Sequence, residues 1–63
     1  MIEIVIDGHI FLVDPEQESI RITHHLGVSL YYFEEIETMQ FAAFEKYPFK
    51  KALAKYKKLA AFV

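Results

Sequence analysis

The dipeptide Asp7-Gly8, set between two runs of apolar residues, constrains this chain more than any other feature. A two-residue type I′ turn needs positive φ at both central positions, which Asp-Gly accepts, and such a turn fixes the register of the strands it joins. Residues 1–6 and 9–14 therefore read as the arms of a β-hairpin, with Ile6 facing His9, Ile4 facing Phe11 and Ile2 facing Val13.

A second turn follows at Pro15, Glu16, Gln17 and Glu18. Proline presets φ and the acids seek water, so these four residues read as a loop. That loop pairs Asp14 with Ser19, Val13 with Ile20, Phe11 with Ile22 and His9 with His24. The two registers agree on the buried face. Ile2, Ile4, Ile6, His9, Phe11, Val13, Ile20, Ile22 and His24 fall on one side of a three-stranded meander, as period-2 alternation demands. The other side carries Glu3, Val5, Ile10, Leu12, Arg21 and Thr23. A rival reading makes residues 14–27 a helix, capped by Asp14, entered by Pro15 and closed by Gly27. Ile20 and Ile22 would then lie about 200° apart, which favours the strand at residues 19–24.

After Gly27 the spacing of apolar residues turns helical. Ser29 suits an N-cap, and Tyr32, Phe33, Ile36, Met39, Ala43 and Phe44 recur at helical intervals, predicting a helix over residues 30–46. Glu34, Glu35, Thr38 and Glu45 form its polar arc, while Glu37 and Gln40 fall within the apolar one. Pro48 ends that helix, because the residue before a proline disfavours α, and opens a second over residues 49–62. Phe49, Ala52, Leu53, Tyr56, Leu59, Ala60 and Val63 share one face of the second helix. The expected architecture is a single α+β domain over residues 1–63, with both helices on the isoleucine face.

A chain of 63 residues buries too little surface to be comfortably stable alone, and with no cysteine it has no disulfide to help. Cysteine-based zinc sites and thiolate chemistry are excluded by the same count. With 54% of residues hydrophobic, self-association is the remaining staple, so a homo-oligomer is expected. No apolar run is long enough for a transmembrane helix, the first residues lack a basic secretory start, and a cytoplasmic location follows as the default.

Charge is divided along the chain. Residues 1–45 hold nine acids and Arg21, for −8, and residues 46–63 hold six lysines and no acid, for +6. Lys50, Lys51, Lys55, Lys57 and Lys58 support three readings. The favoured one is a solvated face lying beside the glutamates of the first helix, each exposed pair contributing about 0 to 1 kcal/mol. The second is nucleic-acid binding, largely blind to sequence because the helix has no arginine for bidentate contact with guanine. The third is a membrane surface, against which the alanine-rich apolar face argues.

His9 and His24, opposed in the derived register, form the one cluster suited to chemistry, with Asp7 near them at the turn. A metal wants three or four ligands, and only these two share a face, so they remain weak metal candidates beside the favoured role of packing at the core margin. The two glycines, Gly8 and Gly27, make no phosphate-binding loop, and no nucleophile elbow or paired-carboxylate spacing is present. No cofactor is implied.

The function expected is a small non-enzymatic module that binds itself and another protein. Its contact residues are Val5, Ile10 and Leu12 on the outer sheet face, and Tyr31, Phe41 and Phe62 among the aromatics. Small accessory proteins of phages and mobile elements have a similar profile, an analogy of composition rather than of motif. The alternative is a nucleic-acid accessory protein acting through the lysine helix.

Overall fold

Asp7 and Gly8 both take positive φ, +49° and +81°, and the strands they join, β1 (Ile2–Ile6) and β2 (His9–Asp14), pair in the register the turn imposes. This is seen in a computed structural model, which describes residues 1–38 and 47–61. Asp14 shapes the next turn: its carboxylate accepts the backbone N–H groups of Glu16 (3.1 Å) and Gln17 (3.3 Å), and Glu18 closes the loop at φ +51°. Strand β3 (Ser19–His24) then returns along β2, with Asp14 opposite Ser19, Val13 opposite Ile20 and Phe11 opposite Ile22.

The sheet has a fourth strand where the helical spacing predicts the start of a helix. Residues Gly27–Tyr32 form β4, which pairs antiparallel with β3 from His24 opposite Gly27 to Ser19 opposite Tyr32. The sheet order is β1-β2-β3-β4. Ser29 is therefore a strand residue and caps no helix. Two physical reasons decide the outcome. Val28, Leu30 and Tyr32 alternate with Ser29 and Tyr31, so a period-2 pattern lies beneath the helical one. The free edge of β3 also carries unpaired N–H and C=O groups, which a neighbouring strand satisfies. Gly27, at φ +131°, takes the backbone geometry of the bend that a side chain resists.

Helix α1 (Phe33–Thr38) starts as the strand ends. The Phe33 N–H donates to the Glu18 carbonyl (2.7 Å), still in sheet fashion, and the Tyr32 N–H donates to Glu35 Oε1 (3.1 Å). That second bond is one half of a capping box, with the N3 glutamate reaching back to the residue before the helix. The remainder of the helix expected over residues 30–46, including Gln40, lies outside the described residues. Helix α2 (Phe49–Ala60) follows Pro48, as expected.

Both described helices lie on one side of the sheet, α2 against β1 and β2, α1 against β4 and α2. Between the layers are Ile4, Phe11, Val13, Ile20, Ile22, Ile36, Phe49, Ala52 and Leu53, all buried. Phe49 links the layers. Its ring meets Phe11 edge-on at 5.2 Å and Tyr31 edge-on at 5.0 Å, the geometry that ring quadrupoles favour.

Candidate functional site

The second face of the sheet has no described helix upon it. Alternation turns Glu3, Val5, Ile10, Leu12, Arg21, Thr23, Val28, Leu30 and Tyr32 to this side, because their neighbours Ile4, Phe11, Val13, Ile20, Ile22 and Tyr31 point into the core. The strand pairing sets them in rows. Glu3, Leu12, Arg21 and Leu30 make one row across four strands. Beside it, Val5 pairs with Ile10 and Thr23 with Val28. Val5, Ile10, Val28 and Leu30 are between 46% (Leu30) and 59% (Val28) exposed, and Leu12 is half-buried among them. An antiparallel sheet with one solvated face usually carries polar residues there. Large apolar side chains hold most of this face, and such a patch marks a contact surface.

Of the contact residues read from the sequence, Val5, Ile10 and Leu12 are brought together here. Tyr31 is not. It points to the core side of β4 and packs on Phe49, because a strand replaces the helix that was to expose it. Phe41 and Phe62 lie outside the described residues. Val28, Leu30 and Tyr32 belong to the face and were missed. Their alternation about Ser29 and Tyr31 was the available signal, and the overlapping helical spacing concealed it.

Charge on the face is sparse, with Glu3 and Asp14 against a single Arg21. Glu3 lies on β1 and Arg21 on β3, in the same row, with Leu12 between them. They do not pair within the chain. Among the described residues the Arg21 guanidinium reaches only the thioether of Met1, a weak acceptor, at 3.5 Å. Asp14, also on this side, is turned toward its own loop.

The lysines of α2 lie on the opposite side of the molecule and are largely engaged. Lys51 pairs with Asp7 (Nζ to Oδ2, 3.5 Å), Lys57 pairs with Glu37, and Lys55 donates to the Val5 carbonyl at the edge of β1 (3.5 Å). Lys50 lines a shallow groove between α1 and α2, together with Ile36, Glu37, Leu53, Ala54 and Lys57. Lys58 is exposed. Glu37, which the helical spacing drew into an apolar arc, is exposed and is met by the Lys57 ammonium.

The histidines do not form the expected cross-strand pair. The β2–β3 ladder stops at Phe11 opposite Ile22, and His24 pairs instead with Gly27 of β4. Tyr47 lies against both imidazoles, stacked on His24 at 5.0 Å and edge-on to His9 at 5.4 Å. His24 is further held by hydrogen bonds at both nitrogens. Nδ1 accepts the Leu26 N–H (3.2 Å), so in the neutral ring the proton is on Nε2, which donates to Ser29 Oγ (2.8 Å). Both nitrogens thus serve the β3–β4 turn. Among the described residues no three His, Asp or Glu side chains are grouped so as to hold a metal ion. Among them, too, no helix is long and apolar enough to cross a membrane.

No family model matches this chain, and neither the curated proteins nor the solved structures contain a match to it.

Proposed function

We propose that this chain is a small non-enzymatic protein–protein interaction module that self-associates, with the outer face of its sheet as the contact surface. The observation that carries this reading is the patch of half-exposed aliphatic side chains, Val5, Ile10, Val28 and Leu30, on a sheet face that no described helix covers. Hydration of that surface opposes the isolated chain, and burial against a protein removes the cost at roughly 25 cal/mol per Å² of apolar area. The small core makes the same demand from the stability side.

Sedimentation equilibrium tests the reading directly. Self-association that strengthens with protein concentration and is lost in Ile10→Asp supports it. A stable monomer throughout, with a folded circular dichroism spectrum, would falsify it.

The rival reading, sequence-blind nucleic-acid binding by Lys50, Lys51, Lys55, Lys57 and Lys58, has to compete with the exposed contacts of Lys51, Lys55 and Lys57 and with the repulsion of phosphate by the nine acids of residues 1–45. Retention of DNA or RNA at low salt, falling steeply as salt is raised, would be its signature.

A further inference from the structure

We infer that the occupant of the outer sheet face is a second copy of this chain, stacked face to face about a two-fold axis, with Glu3 of each copy reaching Arg21 of the partner subunit. This rests on the self-association reading above and specifies its geometry.

The argument begins with the row Glu3, Leu12, Arg21, Leu30. Stacked sheets keep their strands within about 30° and sit about 10 Å apart. A two-fold axis in the contact plane, running along the strands, sets β1 over the partner's fourth strand and β2 over its third. Leu12 then faces Arg21 of the partner subunit, and Glu3 lies one strand away, about 4.8 Å to the side. A guanidinium spans that offset with ease. Symmetry repeats the contact, so Glu3 and Arg21 of each copy give two ion pairs, while Asp14 stays bound to its own loop. An isologous interface requires this kind of self-complementarity.

Three features of the isolated chain fit. Glu3 and Arg21 are of opposite sign and form no ion pair with each other within one copy, with Leu12 on the strand between them. Arg21, the only arginine in the sequence, has just a thioether for a partner among the described residues. Arginine set among aliphatic side chains is typical of interface cores, from which other charges are depleted. The adjacent positions Val5, Ile10, Thr23 and Val28 carry no charge that stacking would strand. Area sets the strength. Four strands at about 4.8 Å spacing, each contributing about five residues at 3.3 Å, give a footprint of roughly 320 Å² per copy, below the roughly 800 Å² per partner of a standard stable interface. The dimer is therefore weak and depends on concentration.

A charge-swap cycle read by sedimentation equilibrium, at protein concentrations up to about 1 mM, tests the inference. Glu3→Arg and Arg21→Glu are each expected to weaken the dimer by about tenfold or more, since each sets like charges together, and the double variant is expected to recover to within about threefold of the parent. Circular dichroism checks that each variant is folded. Should a reversal disturb folding, Glu3→Gln and Arg21→Gln replace it, with smaller losses expected in the same order. A parent chain that remains monomeric overturns the inference together with the self-association reading. A parent that dimerises while both single variants dimerise equally well keeps self-association and overturns the face-to-face geometry, leaving pairing through the β4 edge. Single variants that weaken without rescue in the double overturn the reciprocal contact of Glu3 with Arg21.

Discussion

Phe11 on β2 and Phe49 at the start of α2 meet edge to face, with ring centroids 5.2 Å apart, and are the largest fully buried side chains among the described residues. They come from opposite layers, so their contact joins the second helix to the sheet, beside the buried Ala52 and Leu53. Truncating either leaves a cavity as well as lost transfer energy. Phe49→Ala is expected to cost about 3 to 5 kcal/mol. A chain of this length has about 3 to 9 kcal/mol in total, so the variant should lose a third or more of its stability. Urea denaturation followed by circular dichroism measures the loss, and a change under 1 kcal/mol would disprove the fastening role.

Gly27 has φ +131°, a region nearly closed to residues with a Cβ, although open space surrounds the position where a Cβ would sit. Strain in the backbone, and not collision, is therefore the penalty. Gly27→Ala should destabilise by about 1 to 3 kcal/mol. Since the bend delivers β4 to β3, backbone amide exchange in residues 28–32 is expected to quicken more than in β1 or β2. Uniform exchange across the sheet would count against this.

The Leu26 N–H bound to His24 Nδ1 leaves Nε2 as the protonated nitrogen of the neutral ring, donating to Ser29. Nitrogen-15 spectra of the imidazole should show the Nε2–H tautomer for His24. Ser29→Ala is expected to cost about 0.5 to 1.5 kcal/mol, the net contribution of one hydrogen bond. An Nδ1–H tautomer would show that the turn is held in another way.

The pairs of Lys51 with Asp7 and Lys57 with Glu37 are exposed on both partners. Water and salt screen them, so Lys51→Ala and Lys57→Ala should each change stability by no more than about 1 kcal/mol. Added salt should narrow even that difference. A loss above 2 kcal/mol in either variant would assign the lysine face a structural role that its exposure does not suggest.

The registers of the first two hairpins were legible because local chemistry specifies them: Asp7 and Gly8 choose the turn, and proline and acids choose the next loop. Ile4, Phe11, Val13, Ile20 and Ile22 are buried as alternation alone predicts, whereas Ile2, at the start of the edge strand, is 38% exposed and Ile6, His9 and His24 are only partly covered at the end of the sheet. The fourth strand was not legible, since Leu30, Tyr31, Tyr32 and Phe33 satisfy a helical spacing as well as a strand. What decides between them is the open edge of β3, a tertiary fact. The same gap removed half of the candidate site. Val5, Ile10 and Leu12 were read from the sequence, whereas Val28, Leu30 and Tyr32 were assigned to a helix or its approach. The histidine pair failed for a related reason. Register arithmetic carries on past the last rung, but the β2–β3 ladder ends at Phe11 and Ile22. Tyr47, distant in sequence, comes against both rings.

Strand order in this sheet is the order of the chain, and every strand lies beside the one made just before it. Loop-closure entropy is therefore small for all three hairpins, and each can form while the next segment is still being synthesised. Among the described elements, the docking of α2 on β1 and β2 spans the longest separation. The kinetic barrier to the native state should thus reside in the return of the C-terminal segment, with the meander assembled ahead of it.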